Sequence, residues 1–315
     1  MAQQKLAPAS AMISRRAPGK PYFSQTLYRA FWFKLGLAAA RLLSVNGGRR
    51  VGRLLGEAYA LTHPRTRAAL QSNLSLVCNS DAEQRLIRRT FRNFGATLAD
   101  YFQLGTRSKA QAQELFETKL GFENIHTALA GGKGVLLVTI HTALFELGGL
   151  VMNEFQLPLV VLSLPEPDPA LDEWRAAYRR RWGVETLEVG RDQFSFVAIQ
   201  RELAQGKCVA MLVDRPHHGH DAVLVDFPHG QIPFSTGPVW LSLLTGAPLV
   251  PSTIVATPTG KYAIHAQPAL YPKWNSSDRA ATVREYSLEL AARFRETICE
   301  HPDQWYQFVP LSPSR

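Results

Sequence analysis

The chain has 315 residues, 46% of them hydrophobic, enough to bury a full core as one large domain or two small ones, which excludes disorder of the whole. Its net charge of +9 is unevenly spread: the first 67 residues hold twelve basic side chains against one acid, Glu57, a net of +11, and the other 248 carry 23 basic and 25 acidic, a net of −2. The basic end therefore suits an anionic partner: a membrane surface, a nucleic acid or an acidic protein.

In chain order, residues 1–20 are mostly Ala, Pro, Ser, Gln and Gly with scattered bases and no acid, which reads as a flexible basic tail without the apolar core of a signal peptide. Residues 21–64 read as an amphipathic helical region. Its apolar stretch over 27–45 is interrupted by Arg29, Lys34 and Arg41, charges that a helix crossing lipid tolerates badly. On a helical wheel Tyr28, Phe31, Trp32, Leu35, Ala38, Leu42 and Leu43 share one face, and Lys34 and Arg41 another. That pattern fits a helix lying in an anionic membrane surface; a core helix with a wet edge is the alternative. No helix-turn-helix or RNA-binding signature accompanies the bases, so no nucleic acid is expected.

From 65 to 315 the pattern reads as one α/β domain. Helical spacing runs over 65–77 and 81–103, "GGKG" marks a turn before a strand over 135–140, and a helix is expected over 142–155. Then come the apolar run "LPLVVLSL", a helix over 171–181, a strand over 184–189, a helix over 193–204, and "KCVAMLVD", a strand ending in Asp214. A helix over 237–245, the strands "PLVPSTIVA" and "KYAIHAQ", and a long helix over 279–300 complete the alternation. The fold class predicted is α/β: a mixed, mostly parallel sheet flanked by helices, with the N-terminal helical region associating with a membrane. Cys78, Cys208 and Cys299 have no metal-type spacing and read as reduced packing residues.

The chemistry is sought at "VLLVTIHTALFE", where His141 ends a strand and Glu146 follows five places on. Functional groups gather beyond the carboxyl ends of strands in such sheets. Five helical steps would separate the two side chains by roughly 140°. His141 is therefore expected at or before the helix start, with Thr142 as cap, so that the ring swings back to Glu146. The carboxylate would then fix one ring nitrogen and leave the other as a general base. A core histidine satisfied by its surroundings is the plainer reading of this spacing taken alone.

The same stretch resembles the first signature of the glycerolipid acyltransferase superfamily. "LDEWRAAYRRRWG", "LAQGKCVAMLVDRP", "PFSTGPVWLSLLTGAPLVPSTIV" and "HPDQWYQFVP" follow in the order seen in the bacterial late acyltransferases of lipid A biosynthesis. This resemblance implies transfer of a fatty acyl chain from a thioester, on acyl carrier protein or coenzyme A, to a hydroxyl of a lipid or glycolipid acceptor. The thioester is a co-substrate, and neither cofactor nor metal is implied. The work would be done at the cytoplasmic face of the inner membrane. His141 matches the general base and Glu146 its orienting acid. Arg181, with Arg180 as the register alternative, matches a substrate-binding arginine that could serve the oxyanion. Asp214 and Arg215, and Thr236 and Gly237 in "STGP", fall at further substrate-binding positions. The chain departs from the family where "YQFVPLSPSR" replaces a basic C-terminal run, and where "FPHGQ" carries His229 in place of the acid of a related phosphate-binding turn. Acylation of a carrier-bound secondary metabolite, or an inactive membrane-surface protein of this fold, stays open. So does a zinc site at His217, His218, His220 and Asp221, although these share one Pro/Gly loop with no second ligand cluster.

Overall fold

A computed structural model describes residues 29–166, 168–190, 193–216, 222–275 and 278–311. The tail over 1–20, the first residues of the amphipathic segment (Leu27 and Tyr28) and the cluster His217, His218, His220 and Asp221 lie outside the described residues. Helices α1 (Ala30–Leu42), α2 (Val45–Thr62), α3 (Pro64–Leu74) and α4 (Ser80–Leu104) come first. There follow α5 (Lys109–Gln113), β1 (Phe116–Leu120), α6 (Phe122–Leu129), β2 (Val135–Thr139), a short 3-10 turn Phe145–Leu147, α7 (Gly148–Glu154), β3 (Leu159–Ser163) and α8 (Pro169–Arg180). The chain continues through β4 (Val184–Glu188), α9 (Gln193–Ala204), β5 (Cys208–Leu212), β6 (Ala222–Phe227), β7 (Gly230–Ser235), α10 (Gly237–Thr245), β8 (Leu249–Ala256), β9 (Tyr262–Ala266) and α11 (Arg279–Glu300).

Seven strands form one sheet in the order β1-β9-β8-β2-β5-β3-β4, parallel throughout except where β8 meets β9. This is the mixed, mostly parallel α/β sheet that the alternation of strands and helices predicts. Central strand β2, VLLVT, explains why helices cover both faces: side chains alternate along a strand, and here both sets are apolar. Val135 and Leu137 enter one core with Phe122 and Ile125 of α6 and Leu150 of α7. Leu136, Val138 and Ile140 enter the other with Ile199 of α9, Val239 of α10 and Phe294 of α11.

Helix α2 packs antiparallel on α4 through Gly48, Gly52 and Gly56, spaced four apart and all buried. The backbones approach so closely that a Cβ on Gly52 would overlap the Gly95 carbonyl oxygen, so glycine is required there. Arg49 fastens this layer to the sheet: its Nε donates to Asp100 at 2.7 Å and its Nη2 to the Gly260 carbonyl at 2.6 Å, while Tyr262 donates to the same carboxylate at 2.6 Å. The opposite sides of α1 and α2 are left outward. Phe31, Trp32, Leu35 and Leu42 on α1, and Val51, Leu54, Leu55 and Leu61 on α2, are exposed.

Three parts of the sequence reading differ from the structure. The helix expected to begin at Thr142 does not: Thr142 is fully buried in an antiparallel bridge with Trp305, Ala143 takes a left-handed φ of 40°, and the helix proper starts at Gly148. Edge strand β1 and helices α5 and α6 have no counterpart in the sequence reading, because FETKL carries too few apolar residues to display a strand period. The antiparallel hairpin β6–β7 has none either, although its burial alternates residue by residue along AVLVDF. The "FPHG" turn is the tip of that hairpin, where the His229 backbone donates to the Leu76 carbonyl, and it lines no part of the cleft described below.

Candidate active site

Strands β2 and β5 lie side by side in parallel register, Val135 opposite Cys208 through Thr139 opposite Leu212. Carried two residues past the paired ends, the same register sets His141 opposite Asp214. The imidazole Nδ1 lies 2.7 Å from Asp214 Oδ1, and the His141 backbone N–H donates to Oδ2 at 3.0 Å. Asp214 is fully buried, whereas the His141 side chain keeps 17% of its surface exposed. Burial acts to raise the Asp214 pKa, but the charge and hydrogen bonds of His141, with the charge of Arg215, overcome it and hold the carboxyl well below its usual range. An ionised carboxylate can only accept, so it draws the ring proton to Nδ1 and leaves Nε2 with its lone pair. The ring pKa is lowered by burial first and by Arg215 second, with Asp214 opposing both, so the ring is neutral at neutral pH.

The expected partner, Glu146, does not meet the ring. The chain reversal at Ala143 removes the helical turn that would have brought the carboxylate back, and Glu146 instead binds Arg179 at 3.0 Å and Arg175 at 3.6 Å. Burial acts to raise its pKa, and the two guanidinium charges, Arg179 ahead of Arg175, bring it below the ordinary value. Arg175 also pairs with Glu166 and stacks over Phe33 of α1 at 5.6 Å. The acid that orients His141 is therefore Asp214, a residue that the family resemblance assigns to substrate binding.

The arginine assignment shifts as well. Arg181 points away from the site, its Nη2 donating 2.9 Å to the Arg107 carbonyl and its Nη1 to that of Gly105, and Arg180 is exposed. The cleft-facing arginines of α8 are Arg175 and Arg179, one turn apart, a spacing that is visible in "WRAAYRRR". Arg215 does line the cleft, with Nε donating to Gln307 Oε1 at 2.8 Å. Thr236 is buried at the start of α10, Gly237 N–H donates to Ser235 Oγ at 3.2 Å, and of these three only Ser235 reaches the cleft.

His141, Glu146, Arg175, Arg179, Arg215 and Ser235 face one cleft of about 1310 Å³, above the usual range of small-molecule sites. Its walls are apolar from Trp32, Leu35 and Leu55 on the outward-facing helices to Leu137, Leu159 and Val184 in the sheet. Its titratable and charged lining includes His141, Glu146, Arg175, Arg179, Arg215 and, beside Arg175, Glu166. A neutral imidazole with a buried carboxylate behind it, at the wall of a long apolar cleft, can deprotonate a hydroxyl next to a bound hydrocarbon chain.

Residues 16–311 match the family model described as bacterial lipid A biosynthesis acyltransferase. Among curated proteins, a phosphatidylinositol mannoside acyltransferase of Mycobacterium tuberculosis is 25% identical over 237 residues, spanning 73% of this chain and 72% of that protein. A lipid A biosynthesis acyltransferase of Haemophilus influenzae is 24% identical over 257 residues, spanning 80% of this chain and 76% of that one.

Proposed function

Because the chain belongs to the bacterial lipid A biosynthesis acyltransferase family, and so is a lipid-acylating transferase, we propose that it moves a fatty acyl chain from a thioester to a hydroxyl of a membrane glycolipid, with His141 as general base. The observation that carries this reading is the His141–Asp214 pair, 2.7 Å apart, at the wall of the apolar cleft. His141 Nε2 takes the hydroxyl proton as the oxygen attacks the thioester carbonyl. Asp214 steadies the resulting imidazolium, which then gives the proton to the departing thiolate. The oxyanion formed in between needs a donor, and the cleft offers Arg215, whose charge acts on the His141 ring, and Arg179, paired with Glu146, as cations to supply one. No covalent enzyme intermediate is needed.

A glycolipid acceptor is supported by both relatives, whose names specify a phosphatidylinositol mannoside and lipid A. Acyl carrier protein and coenzyme A present the same thioester, so the test runs both. Purified protein is given palmitoyl-coenzyme A or palmitoyl-acyl carrier protein with mixed micelles of phosphatidylinositol mannoside or a lipid A precursor. Thiol release coupled to a product heavier by one acyl chain is the expected result. Release of no thiol from either donor, whatever the acceptor, would overturn the reading.

The membrane enters through α1 and α2. No helix among the described residues is long and apolar enough to cross a membrane. Their outward apolar side chains, bordered by exposed Lys34, Arg41, Arg50 and Arg53, suit a surface seated in anionic lipid at the cytoplasmic face of the inner membrane, with the cleft opening beside it. Leu54→Glu with Leu55→Glu is expected to cut sedimentation with phosphatidylglycerol vesicles at all salt concentrations. Arg50→Glu with Arg53→Glu should cut it at low salt only, since screening already weakens that contribution at high salt. Unchanged sedimentation of the leucine variant would rule these helices out as the contact.

A further inference from the structure

We propose that Trp305 and Gln307 are positioning residues that dedicate one oxygen of Asp214 to the protein scaffold and leave the other for the His141 ring. The inference rests on the His141–Asp214 reading above and extends it to a segment with no assigned role. Oδ2 accepts three hydrogen bonds: from the His141 backbone at 3.0 Å, from Trp305 Nε1 at 2.8 Å and from Gln307 Nε2 at 2.7 Å. Oδ1 accepts from the imidazole. Asp214, Trp305 and Gln307 are each fully buried, so a carboxylate that water does not reach depends on these donors to remain ionised.

The donors are themselves fixed. Gln307 cannot flip its amide usefully, because Oε1 accepts from Arg215 while Nε2 also donates to the Asp214 carbonyl at 2.9 Å. An indole N–H only donates, so Trp305 can meet the carboxylate in one way. The segment that carries them is clamped on both sides. Tyr306 N–H donates to the His141 carbonyl at 2.8 Å, Ala143 N–H to the Gln304 carbonyl at 2.9 Å, and Tyr306 OH pairs with Thr97 of α4 at 2.8 Å. The same short stretch thus holds the backbone of the base and the side chain of the acid.

The charged groups facing the ring are Asp214 and Arg215, which follow β5; from the 3-10 turn and α8, Glu146, Arg175 and Arg179 share the cleft but are paired with one another. Trp305→Phe keeps an aromatic ring and removes one donor. The carboxylate, less well satisfied, then binds the imidazolium more strongly, so the His141 pKa should rise by about half a unit to one unit. Gln307→Met should move it the same way. Both variants should lose about tenfold in kcat as the carboxylate loses the donors that fix its orientation. The ring is followed by NMR titration of 13C-labelled imidazole, its signal identified by its loss in His141→Ala, with melting midpoints measured alongside.

A purely structural role would lower the melting midpoint and leave the titration where it was; that result in either variant overturns the inference. If Trp305→Phe fails to fold, Gln307→Met decides it. Failure of the underlying reading looks different: Asp214→Asn with wild-type acyl transfer would remove the dyad itself, whatever the indole does.

Discussion

Replacing His141 by alanine is expected to lower acyl transfer by about 10²- to 10⁴-fold, the usual contribution of a positioned base to attack by a weak nucleophile. An alcohol is scarcely ionised near neutrality, so its proton must leave as the carbon–oxygen bond forms. His141 is the uncharged nitrogen base lining the cleft, neutral because burial and Arg215 both disfavour its charged form. The fold should survive. The ring is partly exposed at a cavity wall, and its removal frees one oxygen of Asp214 while Oδ2 keeps all three donors. Thiol release and thermal melting of the variant check the two halves of this expectation, and wild-type turnover would end the proposal that this imidazole is the base.

Asp214→Asn should cost about 10³-fold, and the hydrogen-bond pattern gives the reason. The amide must place its oxygen where Oδ2 sits, because three donors converge there. Its NH₂ then faces His141 Nδ1, which has to become the acceptor. The proton moves to Nε2, and the lone pair that would take the hydroxyl proton is lost. Glu146→Gln offers the contrast, since Glu146 neutralises Arg179 and Arg175 and does not touch the ring. In the wild type the acid limb of kcat/KM should fall below the ordinary imidazole value of about 6.5, because burial and Arg215 lower the ring pKa. Activity is lost as pH drops through that limb and the ring protonates. Glu146→Gln should leave the limb in place even if the rate falls. A limb displaced downward in Glu146→Gln, as loss of a carboxylate that stabilises the imidazolium would produce, with Asp214→Asn retaining wild-type rate, would return Glu146 to the role of orienting acid.

Much of the architecture is legible in the sequence because it rests on local pattern. Helices α9, α10 and α11 fall where periodicity sets them, and β2, β3 and β5 appear as short apolar runs, since strands buried on both faces have no polar side to show. The failures have two causes, one local and one long-range. Strand β1 sits at the sheet edge with little apolar content, and the break at 142–144 follows from an antiparallel bridge to Trp305, a residue 163 positions away. No window along the chain contains that partner.

Read alone, the order of residues yields the fold class, the strand end that carries His141 and, through the succession of its motifs, the kind of chemistry. Which acid the histidine meets is a matter of three-dimensional arrangement. Glu146 is the near neighbour in the chain, but Ala143 turns the backbone away and two arginines of α8 claim that carboxylate. Asp214 is 73 positions distant, and it arrives because β2 and β5 pair in parallel at that constant offset from Val135–Cys208 onward. A parallel register is fixed by how two apolar strands share a core, and that physical constraint has no expression in the spacing of residues along one of them.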